Sequence, residues 1–275
     1  MNAMRLAALL GCAALAAFLL SLFMGVDGFT LAGSAEARRV ILLEVRLPRA
    51  LLGFMVGGTL GLAGAVLQGY LRNPLAEPGI LGISGGAALG AVIAIHSGVA
   101  QVVALALPLA GLMGAALATL ALTVLAGRGT GSVTLILAGV AVSSLAAALT
   151  SLALNLAPNP FAASEMLYWL MGSLTDRSLT HVWLAAPLMA IGCLLLAATA
   201  RDLDALSLGE AAAQNLGVDL TRLRWMVVSG TALAVGAATA VCGAISFVGL
   251  MVPHLLRPLT SGEPGQLLLP SFLGG

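Results

Sequence analysis

The chain has 275 residues, of which 60% are hydrophobic and only 8% are charged, and its net charge is +1. Soluble domains carry about 25% charged residues, so this sequence cannot cover a water-exposed surface and lipid must be its main solvent. The balanced charge gives no reason to expect nucleic acid as a partner. Cys12, Cys193 and Cys242 lie far apart in apolar runs, so we expect packing residues and no metal site.

Charged residues divide the chain into apolar runs long enough to cross a bilayer, which takes about 20 residues. The first run, 6–26, is long for a cleaved signal peptide, so we expect it to be the first span. Later spans are predicted at 50–71, 79–96, 99–126, 133–156, 178–200 and 225–242, a shorter one from 244 and a partial one at 266–275. The predicted turn between 79–96 and 99–126 is His96-Ser97-Gly98.

The expected fold is therefore an all-α polytopic membrane bundle of eight full spans and part of a ninth, in one domain over residues 1–275. The sequence stops inside an apolar segment, which predicts that the natural protein continues. Residues 56–65 resemble residues 235–244. An inverted repeat and a chance match of two Gly/Ala-rich helices both explain this similarity.

Arginine supplies all of the basic side chains. With the N-terminus in the cytoplasm, seven arginines lie inside and five outside, which is a weak positive-inside signal. The first outside loop opposes that signal because it contains Arg38, Arg39, Arg46 and Arg49. Two interpretations are open: the loop docks an acidic partner, or it is an ordinary solvated loop that Glu36 and Glu44 partly neutralise.

The loop at 201–224 contains a predicted short helix over 207–217. Ser207 followed by Glu210 matches a capping box, and Gly217 is a C-terminal stop. Leu208, Ala212 and Leu216 form one apolar stripe. The helix is too short to be stable alone, so we expect it to dock into a partner's groove. Local packing is the alternative.

A further polar segment, 68–79, contains Asn73 before Pro74 and is expected to be a turn that ends the second span. No Asp, Glu, Arg or Lys falls inside the predicted spans, whereas ion-coupled transporters usually bury ionisable groups. Without lysine the chain has no P-loop. We therefore expect a separate subunit to hydrolyse ATP, and no enzyme activity in this chain.

Several motifs in this order resemble the permeases of bacterial ABC importers for iron–siderophores, haem and cobalamin. The resemblance begins near residue 40 and lies in the segments 46–49, 64–68, 72–82, 137–140, 168–174, 208–217, 243–250 and 253–257. It implies ten transmembrane helices in the complete protein, in the inner membrane. It also implies a second permease protomer (a second copy or a homologue), two cytoplasmic ATPases, a periplasmic binding protein and a metal-chelate substrate.

The resemblance also implies roles for particular residues. Binding-protein docking falls to Arg46 and Arg49, and the fifth span, 133–156, lines the pathway. Gate or pathway positions are Ser132, Val133 and Gln68, although a family Thr-Ser pair is Ser-Val here. ATPase docking falls to Ser207, Leu208, Gly209, Glu210, Ala212, Leu216 and Gly217.

Relative to this family, the tenth helix and most of the ninth are missing from the sequence. We expect import of a siderophore, with haem and cobalamin as alternatives, and no bound cofactor or metal. An ion-coupled secondary transporter with inverted repeats is the competing hypothesis. A membrane enzyme centred on His254 lacks a carboxylate or cysteine at metal-ligand spacing.

Overall fold

The computed structural model of the protein describes residues 3–24, 34–127, 131–260 and 262–275. These residues are helical, with irregular connections. The helices are α1 (Ala3–Phe23), α2 (Ala35–Tyr70), α3 (Ile83–His96), α4 (Val99–Val102), α5 (Ala106–Ala126), α6 (Ser132–Asn155), α7 (Pro160–Leu170), α8 (Leu179–Ala197), α9 (Ala200–Leu206), α10 (Glu210–Asn215), α11 (Leu220–Cys242), α12 (Val248–Leu256) and α13 (Pro264–Gly274).

Six helices of the described residues are long and apolar enough to cross a membrane: α1, α2, α5, α6, α8 and α11. The all-helical membrane fold is therefore confirmed. The predicted turn after His96 is also confirmed, since α3 ends there and Gly98 has a left-handed φ of 76°. Six of the eight predicted full spans correspond to these helices of spanning length, whereas the other two correspond to shorter helices, α3 with 14 residues and α12 with 9.

The structure also corrects the prediction of an arginine-rich loop before the second span. Residues 35–49 are helical and belong to the same helix as the second span, so that α2 runs without a break over 36 residues. Neither glycine nor proline occurs between Ala35 and Leu47 to end the helix. A π-helical turn, Ile41–Arg46, precedes Pro48, whose missing N–H cannot join the α-helical pattern. The predicted docking arginines therefore lie on a helical extension of the span.

The bundle has two polar ends. Arg72, Glu210 and the helices α9 and α10 share one end, which we call the α10 end; an ion pair of 3.4 Å joins Arg72 Nη2 to Glu210 Oε1. At the opposite end, the Arg46 end, Arg46 meets the last turn of α1. The backbone N–H of Ser173 there donates to the carbonyl of Cys242, at 2.7 Å.

Helices α2 and α11 form the centre of the bundle. In their most apolar stretches 78% and 72% of residues are buried, against 11% to 28% for the other long helices. Small residues allow close backbone contact: a Cβ on Gly64 of α2 would overlap the Gly249 carbonyl oxygen of α12. The two central helices run in opposite directions between the two ends, as an inverted repeat requires. However, the two similar segments lie at different positions in their helices. Residues 56–65 end before the end of α2, whereas residues 235–244 extend beyond the end of α11.

Candidate functional site

The predicted docking segment at 207–217 is exposed, but its local structure differs from the prediction. Helix α10 begins at Glu210 with Gly209 as its N-cap, at a φ of 104°. Ser207 instead follows α9, and its Oγ donates to the Asp204 carbonyl at 2.6 Å. The predicted capping box is therefore wrong, because the turn at Gly209 separates Ser207 from α10.

The apolar residues of this segment divide between the protein and its surroundings. Ala213 is fully buried, whereas Leu208 and Leu216 are 69% and 65% exposed and Ala212 is half-buried. Gly217 takes a left-handed φ of 89° just after α10, as its predicted role as a stop requires. The segment therefore rests on the bundle through Ala213 and presents two leucines outward.

Arg46 and Arg49 have different surroundings at the Arg46 end. Arg46 Nη1 donates to the carbonyls of Leu22 and Phe23, at 3.0 and 2.8 Å. These carbonyls lack partners inside α1 because the helix ends there. Arg49 is exposed and lines a groove of about 270 Å³ that also contains Glu44, Asp176 and Arg177. Of the two predicted docking arginines, only Arg49 is free of hydrogen bonds among the described residues.

The three predicted gate or pathway residues do not share one surface. Ser132 and Val133 begin α6, and Val133 is 66% exposed. Gln68 is buried: its Nε2 donates to the Leu250 carbonyl at 3.1 Å, and its Oε1 accepts from Arg257 Nη2 at 2.8 Å. Gln68 thus joins α2 to α12 inside the protomer.

Residues 73–82 reach a depth that the sequence analysis missed. The Ser143 hydroxyl, about 17 Å along α6 from its first residue, donates to the Gly79 carbonyl at 3.3 Å. Leu60, about 15 Å from the end of α2, lines a cavity with Glu77 and Pro78. Two spanning helices therefore place this segment, which is irregular apart from a short 3-10 helix at Pro78–Leu81, near the middle of the bundle and not at its end.

A second irregular segment meets the first from the opposite side. Residues 243–247 leave α11 at the Arg46 end and return to the middle, where α12 begins at Val248 after Phe247 in a left-handed conformation (φ 68°). Non-helical backbone at this depth is tolerated only where protein or a water-filled cavity surrounds it. Helix α3 is too short to span because it begins after the first of these mid-depth segments. In the sequence, the only signal of the break was the pair Pro74 and Pro78.

Metal-binding chemistry is not supported by the described residues, since no three of their His, Cys, Asp or Glu side chains form a group that could hold an ion. The three cysteines are unpaired by disulfides, and Cys242 is buried. His96 Nδ1 lies 3.2 Å from the Ala153 carbonyl. The candidate site described above consists of exposed surfaces and irregular backbone.

Comparisons with known proteins agree over nearly the whole chain. The FecCD transport family matches residues 8–275. A protein named cobalamin import system permease protein BtuC, from Halobacterium salinarum, is 40% identical over 86% of this chain and 64% of its own length. The vitamin B12 import system permease protein BtuC of Salmonella paratyphi A is 37% identical over 93% of this chain and 78% of its own length.

A solved structure has the same fold. It is described as an inward-facing conformation of a metal-chelate type ABC transporter, and its TM-score with this chain is 0.87 at 30% sequence identity. The likeness covers 98% of this chain and 86% of that chain. The chain thus spans less than two thirds of the length of the Halobacterium relative, and larger shares of the Salmonella relative and of the solved structure.

Proposed function

The chain belongs to the FecCD transport family, and from this membership we propose that it is the membrane-spanning permease subunit of an ATP-binding-cassette importer for a metal chelate. The observation that carries the proposal is the likeness of 98% of the chain to a metal-chelate type ABC transporter at a TM-score of 0.87. The relatives described above are named for cobalamin, so cobalamin is the first substrate to test. Ferric siderophore, the expectation from sequence, and haem follow.

The two ends of the bundle would serve different partners. The α10 end exposes Leu208 and Leu216, which suit a groove on a cytoplasmic ATPase. The Arg46 end exposes Arg49, which suits a carboxylate on a periplasmic binding protein. This assignment places the N-terminus in the cytoplasm of a multi-pass protein of the cell membrane.

Transport would proceed without covalent chemistry. A second protomer, either another copy or a homologue, would face the exposed side of α6, where Val133, Leu137 and Val140 lie. ATP binding to two partner ATPases would tilt the protomers between inward- and outward-open states. Gln68 would act as an internal tie between α2 and α12 and not as a wall of the pathway.

The test is ATP-dependent uptake into proteoliposomes that contain the full-length permease, its ATPase and its binding protein. Cyanocobalamin, a ferric siderophore and haem are supplied in parallel. We expect uptake of one chelate to need ATP and to survive an uncoupler. We also expect Leu208→Asp with Leu216→Asp to abolish ATPase binding, whereas Gln101→Asp, at an exposed position of α4, should not.

Two outcomes would contradict the proposal. If the ATPase failed to bind the wild-type permease, the importer hypothesis would be wrong. If uptake were lost with an uncoupler but persisted without ATP, the chain would be a secondary transporter instead.

A further inference from the structure

Glu77 is an ionisable side chain at the middle of the bundle. It belongs to the irregular segment that Ser143 of α6 and Leu60 of α2 place at that depth. A charged group inside a membrane is costly, and such groups usually mark the route of a substrate or ion. The position of Glu77 therefore requires an explanation that the general permease function does not supply.

Glu77 is not needed to hold the local turn. The Asn73 Oδ1 atom accepts the Leu75 N–H at 3.0 Å, and the Ala76 N–H donates to the Asn73 carbonyl at 3.1 Å. Among the described residues, no hydrogen bond or ion pair reaches the Glu77 carboxylate, and its Oε1 lies 3.2 Å from the place of a Cβ on Gly79. The turn is thus stabilised by Asn73, and the carboxylate stays available.

The carboxylate lines a small, mostly apolar cavity between the two irregular segments. The cavity has a volume of about 40 Å³, and the hydroxyl-bearing residues Ser84 and Ser246 line it with Glu77 and Phe247. This volume admits a water molecule but not a chelate. Glu77 is half-buried, and Ser246 and Phe247 are exposed. The cavity therefore opens toward the outside of the protomer.

The exposed side of α6 continues this surface. Gly139 and Ser143 contact the segment at Ile80 and Gly79, and Val140 beside them is 50% exposed. Among the described residues that line the cavity, none is basic. The Glu77 carboxyl group therefore faces this surface with no basic side chain beside it in the cavity, and the apolar surroundings strengthen its electrostatic effect on a passing group.

We propose that Glu77 is a specificity-determining contact of the transport pathway, which accepts hydrogen bonds from amide or ammonium groups of a chelate and rejects chelates with peripheral carboxylates. The inference rests on the proposed function and deepens it by naming the substrate class. Amide N–H groups would donate to the carboxylate oxygens. A substrate carboxylate would meet like charge and lose hydration without a compensating donor.

The test compares two corrinoids that differ in one group. Cyanocobalamin carries peripheral amides, and its monocarboxylic acid derivative has one of them hydrolysed. Both are first shown to bind the binding protein, and uptake is then measured in the reconstituted full-length complex. We expect wild type to favour cyanocobalamin by about tenfold, and Glu77→Gln to reduce the preference to about twofold by raising uptake of the acid.

Three further variants separate charge from structure. Glu77→Asp keeps the charge and should keep the wild-type ratio. Glu263→Gln, before α13 at the α10 end, removes a carboxylate outside the cavity and should also keep it. Ser246→Asp adds a carboxylate to the cavity and should raise the ratio, which preserves the test if Glu77→Gln does not fold.

The outcomes distinguish the inference from the function on which it rests. Uptake with an unchanged ratio in Glu77→Gln, or in Ser246→Asp, would overturn the role of Glu77 and leave the importer intact. A complex that hydrolyses ATP but takes up neither corrinoid would overturn the proposed substrate class, and the inference with it.

Discussion

At the scale of single residues, the structure separates side chains that look equivalent in sequence. Arg46 and Arg49 lie on the same helix, yet Arg46 bonds to two terminal carbonyls of α1 while Arg49 is exposed. A charge reversal at both positions would therefore mix a loss of stability with a loss of docking. Single substitutions are needed to assign the two effects.

We predict that Arg46→Ala lowers the stability of the detergent-solubilised full-length protein by about 1–2 kcal/mol, because two charge-assisted hydrogen bonds to the end of α1 are lost. Arg49→Ala should leave the melting temperature unchanged. Thermal unfolding followed by circular dichroism measures both variants. Equal melting temperatures for Arg46→Ala and wild type would show that the contact with α1 contributes nothing.

For docking to the binding protein, we expect a substitution of Arg49 to have the larger effect. Arg49→Glu should weaken the complex with the periplasmic binding protein by about tenfold or more, because an exposed cation at the Arg46 end becomes an anion. Surface plasmon resonance at two salt concentrations measures the change, with Arg5→Glu on α1 as the control. Unchanged affinity in Arg49→Glu would place the docking surface elsewhere.

At the scale of elements, close packing between short and long helices decides the architecture. Helix α12 is too short to span, and its position depends on the contact between the backbones of Gly249 and Gly64. The Gln68 side chain adds hydrogen bonds between α2 and the α12 region. These contacts hold in place an element that could not be stable by itself.

We predict that Gly64→Ala destabilises the protein by roughly 1–3 kcal/mol or more, since the added Cβ would overlap the Gly249 carbonyl oxygen. Gly11→Ala is the matched control, because the nearest atom to its new Cβ would be Leu273 Cδ1 at 3.9 Å. Thermal unfolding in detergent compares the two. A Gly64→Ala variant as stable as Gly11→Ala would mean that α12 can move away without cost.

At the scale of the whole molecule, the two polar ends predict which residues face each side of the membrane. In a full-length protein with Cys12, Cys193 and Cys242 replaced by alanine, Leu216→Cys should react with an impermeant maleimide only from the cytoplasmic side. Asp176→Cys, exposed at the Arg46 end, should react only from outside. Labelling in intact cells and inverted vesicles measures this, and the reverse pattern would invert the proposed topology.

The sequence by itself determined the solvent, the helical class and the positions of the long spans, because each of these depends on local composition. A run such as 133–156 needs no partner to be recognised, and α6 covers almost the same residues. The exposed leucines at 208 and 216 also followed from a local pattern. The family was already indicated by motifs whose order is a property of the sequence.

Only the tertiary structure decided how deep the irregular segments lie. Two prolines around Glu77 end a helix, but they do not reveal whether the break lies at the surface or at mid-depth. That depth is fixed by contacts with Leu60 and Ser143, which are distant in sequence. The same reason explains why the capping box failed and why Gln68 is internal: each outcome depends on which remote group satisfies a hydrogen bond, and a local pattern does not contain that information.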